Sequence, residues 1–199
     1  MKKQLLLATN NIHKVEEIKT ILCNLPIEIL TLKDLRKEIE VVEDGETLEE
    51  NALKKAREIF TATKIPSLAD DTGLEVFALN NAPGVYSARY AGENVTYQDN
   101  CSKLLNEMKN IQEENRGAQF RAVIAFVAKD FEKTEEGICT GKIIHSSRGA
   151  QGFGYDPIFL PDGFQHTFAE LSSEEKNIIS HRGQALKKMK LILEQYYQL

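Results

Sequence analysis

The order of apolar and polar positions along the chain predicts strands interleaved with helices. Residues 5–8 form a short apolar run, which is typical of a buried strand. Thr9-Asn10-Asn11 follows as a turn and helix-capping signal, and apolar residues then recur at helical spacing over residues 15–22. Residues 27–32 indicate a second strand. The chain is therefore expected to begin with a strand, a helix and a strand.

Capping signals predict where three further helices begin. Thr47 and Glu50 have the spacing of a capping box ahead of an apolar helical face, and Ser172 and Glu175 repeat that spacing. Thr96 precedes a segment with leucines at helical spacing, so we expect it to cap a helix as well.

A longer antiparallel stretch is predicted later in the chain. Residues 120–128 are rich in β-branched and aromatic side chains, which favours a strand. Residues 138–144 are expected to pair with it across a charged turn over residues 130–136, and the chain closes with a helix around residues 186–193. The whole pattern predicts a mixed α/β fold.

Length, charge and cysteine content exclude several classes of protein. The 199 residues suit a single domain over residues 1–199, since no repeat or linker divides them. A net charge of −5 argues against binding along a nucleic-acid backbone, which needs clustered positive charge. The first apolar run is too short for a signal peptide or a membrane span. We therefore expect a soluble, cytoplasmic protein whose three cysteines stay reduced.

Two adjacent acids, Asp70 and Asp71, stand in an apolar run just ahead of Thr72-Gly73. Strand side chains alternate, so the two carboxylates are expected to point to opposite sides. An unpaired buried charge is costly, which places the pair where a strand ends and an acid can bind Mg²⁺ or orient water. The alternative is a strand end with both acids solvated, and the local residues alone favour it.

The segment from Thr9 to Lys14 joins the first strand to the first helix. Such a turn is a natural anion site because free N–H groups and the helix dipole face outward. Thr9, Asn11 and Lys14 add hydrogen-bond donors and a positive charge. The sequence lacks the glycines and the Gly-Lys-Ser/Thr ending of a Walker loop. An ordinary capped helix with a surface lysine is the alternative, which these residues alone favour.

Glu43 is a candidate second carboxylate for a metal bound by Asp71. It lies in the loop before the helix that Thr47 caps, whereas Glu49 and Glu50 simply suit the dipole at the start of that helix. A solvated surface acid is the alternative interpretation.

Three glycines fall within six positions between residues 149 and 154, which implies unusual backbone angles or close approach of a ligand. Phe153, between Gly152 and Gly154, has the shape to stack on a flat ring, and Asp156 can accept hydrogen bonds from ring N–H groups. A glycine-rich turn with Phe153 packed in the core fits equally well.

Lys176 stands one turn ahead of His181-Arg182, and these two residues are expected to precede the last predicted helix. Their donors suit carbonyl or phosphate oxygens, and a polar surface feature is the alternative. Neither a nucleophilic triad nor a histidine spacing for zinc occurs in the sequence.

Six segments, taken together, span nearly the whole chain. They are residues 7–14, 49–52, 69–74, 82–90, 152–157 and 180–183. Each is weakly specific by itself, but in this order they resemble the inosine triphosphate pyrophosphatase family, also called the non-canonical purine nucleoside triphosphatases.

The resemblance implies a fold and an activity. The fold would be α/β, an elongated two-lobed body around a mixed β-sheet with flanking helices and a central cleft, assembled as a homodimer. The activity would be Mg²⁺-dependent hydrolysis of inosine, deoxyinosine and xanthosine triphosphates (ITP, dITP and XTP) to the monophosphate and pyrophosphate. That reaction removes these nucleotides from the nucleotide pool.

The resemblance also implies roles for named residues. Asp71 would be the general base, or the metal-linked acid that positions water, with Glu43 as its metal partner. Asp70, on the opposite side of the strand, would have a supporting or structural role. The first segment would hold the triphosphate with help from Lys176, and the glycine-rich segment would stack on and read the base. His181 and Arg182 would contact the 6-oxo edge of the base. The residues implied to bind substrate are Thr9, Asn10, Asn11, Ile12, His13, Lys14, Thr72, Phe153, Gly154, Tyr155, Asp156, Lys176, His181 and Arg182.

Two positions depart from the family pattern. Asn10 stands where bacterial members often have Gly, and Asn tolerates left-handed backbone angles, so the loop is expected to keep its shape. Thr72 replaces the usual Ser and retains the hydroxyl. Neither change removes a charged group.

Three other functions fit the residues less well. A nucleotide sensor on the same fold would lose one of the two acids, whereas both Glu43 and Asp71 are present. A phosphatase of the haloacid dehalogenase type would need an Asp-x-Asp spacing, whereas Asp70 and Asp71 are adjacent. A pyrophosphatase for modified pyrimidine nucleotides is the nearest enzymatic alternative.

Overall fold

The computed structural model describes residues 3–35, 39 and 41–199. Within them, seven strands form one mixed sheet in the order β2-β1-β3-β5-β6-β7, and β4 pairs with β3. The strands are β1 (Gln4–Leu7), β2 (Glu28–Thr31), β3 (Ser67–Val76), β4 (Pro83–Gly84), β5 (Gly117–Ala128), β6 (Phe131–Ile143) and β7 (Phe159–Pro161). The helices are α1 (Ile12–Ile21), α2 (Leu48–Thr63), α3 (Tyr97–Glu107), α4 (Ser173–Ile179) and α5 (His181–Tyr197). The predicted mixed α/β fold is confirmed.

All three predicted helix starts are confirmed. The Thr47 hydroxyl accepts a hydrogen bond from the Glu50 N–H, and the Glu50 carboxylate accepts one from the Thr47 N–H. Ser172 and Glu175 form the same reciprocal pair at the start of α4. Thr96 also begins a capping box at α3. Each box satisfies N–H groups that have no partner inside the helix.

The expected end of a strand at Thr72-Gly73 is wrong. Strand β3 continues to Val76, and its residue Leu74 pairs with Gly84 of β4. A Cβ at Gly73 would lie 2.6 Å from the carbonyl oxygen of Gly84, so the glycine is needed for close approach of two strands. A glycine inside a strand can therefore mark such an approach as well as a turn.

The expected turn over residues 130–136 is also wrong. The turn is Lys129-Asp130, where Asp130 takes a left-handed φ of 57°, and β6 begins at the next residue. The charged residues of the supposed turn lie on the outer part of this long strand, where several side chains are exposed. Charge alone does not separate a turn from a solvated strand.

The chain folds into two compact units. The first comprises Met1–Asp71, Ala122–Gly137 and Arg182–Leu199, and the second comprises Thr72–Arg121 and Ile138–His181. In the first unit, β1 pairs in parallel with both β2 and β3. Its core packs α1 and α5 against leucines of β1 and aromatic residues of β5, such as Phe126.

The second unit has its own core, in which Phe120, Phe159 and Phe168 pack closely together. Arg116 is buried beside this core and donates to the carbonyl oxygens of Met108 and Ile143 at 2.7 and 2.6 Å. Its guanidinium thus joins the end of α3 to β6. Along the described part of the chain, every helix is too short or too polar to cross a membrane.

Candidate active site

Asp70 and Asp71 are both buried within β3, with 1% and 5% of their surface exposed. They have different partners, as the alternation of strand side chains requires. The alternative in which both acids are solvated is therefore excluded.

Asp70 is held by two cations. The Arg182 guanidinium donates to both its carboxylate oxygens, with Nε–Oδ2 at 2.7 Å and Nη2–Oδ1 at 3.2 Å, and the Lys14 ammonium lies 2.6 Å from Oδ1. Arg182 also bonds Glu17 through Nη1 at 2.7 Å. Burial acts to raise the pKa of Asp70, but the Arg182 and Lys14 charges outweigh it and hold that pKa well below its usual range. These contacts support the structural role predicted for Asp70.

Asp71 shares a different cation with Glu43. The Lys55 ammonium lies 2.8 Å from Oδ1 of Asp71 and 3.0 Å from Oε1 of Glu43, and it also donates to the main-chain oxygen of Asp70 at 2.9 Å. Desolvation raises the pKa of Asp71, although the Lys55 charge opposes it. The structure thus brings the two predicted metal ligands, Glu43 and Asp71, together around one positive charge.

The segment predicted to bind phosphate forms a capped turn. The Asn11 side chain accepts hydrogen bonds from the N–H groups of His13 and Lys14 at 3.0 and 3.3 Å, and the Asn11 N–H donates to the Thr9 hydroxyl at 3.2 Å. Helix α1 begins at the next residue, Ile12, which is exposed. Asn10 is exposed and is not among the residues with positive φ. The backbone at this position needs no left-handed angle, so an asparagine fits there without strain.

A second charged cluster lies in the second unit. The Lys176 ammonium is 2.6 Å from Oδ2 of Asp156, and both side chains are buried. The same carboxylate oxygen accepts the Phe153 N–H at 2.8 Å. Lys176 also lies 4.8 Å from the centre of the Phe153 ring, and the half-exposed Tyr97 ring is 5.9 Å from it. An aromatic ring thus stands beside a buried ion pair, an arrangement suited to a flat polar ligand.

Two further residues that were predicted to contact the base are buried in the same unit. Tyr155 is buried and its hydroxyl donates to the Ser87 carbonyl at 2.9 Å. His181 is also buried and stacks on Phe120, with ring centres 4.6 Å apart. His181 and Arg182 are the first residues of α5 rather than residues preceding it.

The model of the Ham1 family matches residues 5–192. The chain belongs to the Ham1 family. The resemblance found in the six sequence segments is thereby confirmed.

Curated relatives in the Ham1 family are similar over almost the full chain. The dITP/XTP pyrophosphatase of Clostridium perfringens is 49% identical over 195 residues, covering 94% of this chain and 96% of that protein. That of Thermoanaerobacter pseudethanolicus is 49% identical over 189 residues, covering 94% of each.

Solved Ham1 structures share the fold. The Staphylococcus aureus Ham1 protein has a TM-score of 0.87 and 40% identity, covering 98% of this chain and 100% of that chain. A dITP/XTP pyrophosphatase from Mycobacterium abscessus has a TM-score of 0.76 and 42% identity, covering 94% and 98%.

Sequence reasoning does not single out Lys55, although the chain carries a signal for it. Lys55 follows Ala52 by three positions and precedes Ile59 by four, so it lies on the apolar face of α2. Those two neighbours are almost fully buried. A lysine on the buried face of a helix needs a charged partner, and here it has two carboxylates.

Gly152→Ala is expected to destabilise the protein more than Gly154→Ala. Both glycines have positive φ, at 72° and 63°, so alanine costs about 1–2 kcal/mol at either site from backbone strain. A Cβ at Gly152 would also collide with the Asp156 carboxylate, whereas one at Gly154 would meet nothing within 4 Å. The collision adds roughly 1–3 kcal/mol. Urea unfolding measures the free energy of unfolding of each variant. Equal losses of stability in the two variants would show that the structure relieves the collision at residue 152.

Proposed function

We propose that this chain is a nucleoside triphosphate pyrophosphatase, which hydrolyses ITP, dITP and XTP to the monophosphate and pyrophosphate with Mg²⁺. Relatives that align with 94% of the chain are named dITP/XTP pyrophosphatases, which supports this class of hydrolase. The observation that carries the proposal is the convergence of Glu43 and Asp71 on one cation in a Ham1 chain. Residues 1–199 serve as one pyrophosphatase domain.

The donor set of Glu43 and Asp71 fits Mg²⁺, which proteins commonly bind through one or two carboxylates together with substrate phosphates and water. Across residues 3–35, 39 and 41–199, no group of three or more His, Cys, Asp or Glu side chains is placed to hold a metal ion. Glu43 and Asp71 would therefore share the ion with the triphosphate. When bound, the ion offsets phosphate charge and polarises a phosphoryl oxygen.

Asp71 acts as the general base in this proposal. Burial raises its pKa, which makes the carboxylate a better proton acceptor, while the Lys55 charge favours the ionised form. The water oxygen bonds to the α-phosphorus and gives its proton to Asp71. The bond from that phosphorus to the α–β bridging oxygen breaks, and its electron pair leaves with pyrophosphate. Lys14 and Lys55 offset the charge that develops on the leaving group.

The triphosphate is assigned to the turn before α1 and to β3. The dipole at the start of α1 and the Lys14 ammonium suit an anion, while the Asn11 side chain takes the N–H groups of His13 and Lys14. The residues given this role are Thr9, Asn10, Asn11, Ile12, His13 and Lys14. Thr72, which follows Asp71 on β3, contributes a hydroxyl.

The base is assigned to the cluster in the second unit. Phe153 stacks on the purine, and the segment over Gly154, Tyr155 and Asp156 reads its edge. His181 belongs to the same unit and keeps this role. The contact of Arg182 with the 6-oxo group stays a prediction, because its guanidinium nitrogens are already bonded to Asp70 and Glu17. The pairing of Lys176 with Asp156 at 2.6 Å favours a role for Lys176 at the base rather than at the triphosphate.

Selectivity is proposed to come from the edge of the base. A 6-oxo purine with a protonated N1 offers an acceptor and a donor, which Lys176 and Asp156 complement. Adenine has a donor in place of the 6-oxo acceptor and an acceptor in place of the N1 donor, so it would leave the buried Lys176–Asp156 pair without complementary partners. A polar mismatch of this kind discriminates between substrates more strongly than the loss of one methyl group does. Guanine shares the 6-oxo and N1–H pattern, so its rejection would depend on the room around its 2-amino group.

We further propose that the enzyme works as a homodimer on the cytoplasmic nucleotide pool. The net charge of −5 fits a small-molecule substrate better than a nucleic-acid partner.

The products formed from a panel of nucleoside triphosphates test the function. With Mg²⁺, we expect pyrophosphate as the direct product from ITP, dITP and XTP and much slower hydrolysis of ATP and GTP. The measurement is separate quantification of pyrophosphate and orthophosphate. Direct release of orthophosphate, or a preference for modified pyrimidine nucleotides, would overturn the proposal.

A further inference from the structure

We propose that Asn51 is a positioning residue for Glu43, because it fixes the loop that carries this carboxylate onto α2. The inference rests on the proposed function, in which Glu43 is a metal ligand. It adds a residue with no role in substrate contact or in proton transfer.

The Asn51 side chain forms hydrogen bonds with both backbone groups of Gly45. Its Oδ1 accepts the Gly45 N–H at 2.8 Å, and its Nδ2 donates to the Gly45 carbonyl at 3.5 Å. Asn51 is only 2% exposed, so water cannot readily replace these bonds. Gly45 lies two residues after Glu43, so the clamp fixes the backbone close to the carboxylate.

The loop approaches the helix so closely that only glycine fits at position 45. A Cβ there would lie 2.7 Å from Oδ1 of Asn51 and 2.9 Å from Cβ of Glu50. The other side-chain ion pair of this loop, between Lys54 and Asp44, is largely exposed and therefore contributes little. The buried Asn51 amide thus anchors the loop backbone at Gly45, next to the Glu50 carboxylate, which accepts the Glu46 N–H at 2.8 Å.

Lys55 lies one helical turn after Asn51 and holds the same loop. It follows Asn51 by four positions and so lies on the same face of α2. Asn51 holds the loop backbone, while Lys55 holds the Glu43 carboxylate at 3.0 Å and Asp71 at 2.8 Å. One helix face therefore sets both the backbone position and the side-chain position of Glu43.

Asn51→Ala should raise the Mg²⁺ concentration needed for half-maximal activity by roughly tenfold, as is typical when a group that orients a metal ligand is removed. The activity at saturating Mg²⁺ should recover to near the wild-type value, because no reacting group is lost. Gly45→Ala disturbs the same contact from the loop side and should give the same shift. If Asn51→Ala does not fold, Gly45→Ala tests the positioning role in its place.

Asn100→Ala is the matched control. Asn100 is also 2% exposed and clamps a loop to a helix, since its side chain accepts the Ala91 N–H at 2.7 Å and donates to the Ala88 carbonyl at 3.2 Å. It lies in the second unit, away from Glu43 in the sequence. It should therefore lose stability as Asn51→Ala does, with no change in the Mg²⁺ requirement.

Binding of Mn²⁺ to the protein without nucleotide gives a readout independent of activity. The electron paramagnetic resonance signal of free Mn²⁺ measures the bound fraction. We expect Asn51→Ala and Gly45→Ala to weaken Mn²⁺ binding roughly tenfold and Asn100→Ala to leave it unchanged.

Glu43→Gln separates the two ways in which the inference can fail. If it leaves Mn²⁺ binding and the Mg²⁺ requirement unchanged, the metal role of Glu43 in the proposed function is wrong. If it weakens both while Asn51→Ala and Gly45→Ala behave like Asn100→Ala, only the positioning role of Asn51 is overturned.

Discussion

Asp71→Asn is expected to lower kcat for ITP by at least about 10³-fold, because the amide cannot take a proton from water. The variant keeps the shape of the side chain, and Lys55 retains Glu43 and the Asp70 carbonyl as partners. The fold and much of the nucleotide affinity should therefore persist. Steady-state pyrophosphate release gives kcat, and isothermal titration calorimetry with ITP gives the affinity.

Asp44→Asn is the control for this prediction, since Asp44 is an exposed acid of the neighbouring loop. It should turn over ITP at close to the wild-type rate. A kcat for Asp71→Asn within tenfold of wild type would show that another group accepts the proton.

Asp70→Asn is expected to damage the fold rather than the chemistry. It removes the charge that compensates Arg182, which is buried beside it, and Lys14, which is partly buried. Breaking a buried ion pair by removing one partner costs roughly 3–5 kcal/mol. Urea unfolding should show that loss as a lower midpoint with a similar slope.

Glu132→Gln gives the comparison for Asp70→Asn. Glu132 also accepts two hydrogen bonds from an arginine, Arg57, at 2.7 and 2.6 Å, but both side chains are substantially exposed. Its loss should cost at most about 1 kcal/mol. If the two substitutions cost the same, burial does not strengthen the Asp70 network.

The parts of the fold that depend on neighbouring residues could be predicted from the sequence. Thr47 and Ser172 begin helices through contacts with residues only three positions ahead. The course of β3 past Gly73 depends instead on Gly84 of another strand, and local sequence carries no signal for that approach. The turn at Lys129-Asp130 is misplaced by the sequence pattern because charged residues are common both in turns and on solvated strands.

In the candidate site, too, the features set by neighbouring residues could be predicted and those set by distant residues could not. Strand alternation, a property of the local sequence, is enough to separate Asp70 from Asp71. The identity of their partners could not be predicted, because Lys14, Lys55 and Arg182 come from three distant parts of the chain. Polar residues on the apolar face of α2 are the available sequence signal for Lys55 and Asn51.

The Lys55 ammonium also bears on the order of events when the protein is made. Two acids this close would repel each other in a newly synthesised chain if a metal ion were their sole counter-charge. The lysine is part of the polypeptide, so every molecule carries it beside the two acids whatever the magnesium supply of the cell. Under the proposed function, folding would therefore not depend on the metal, and a newly made molecule can reach its native state before it binds magnesium.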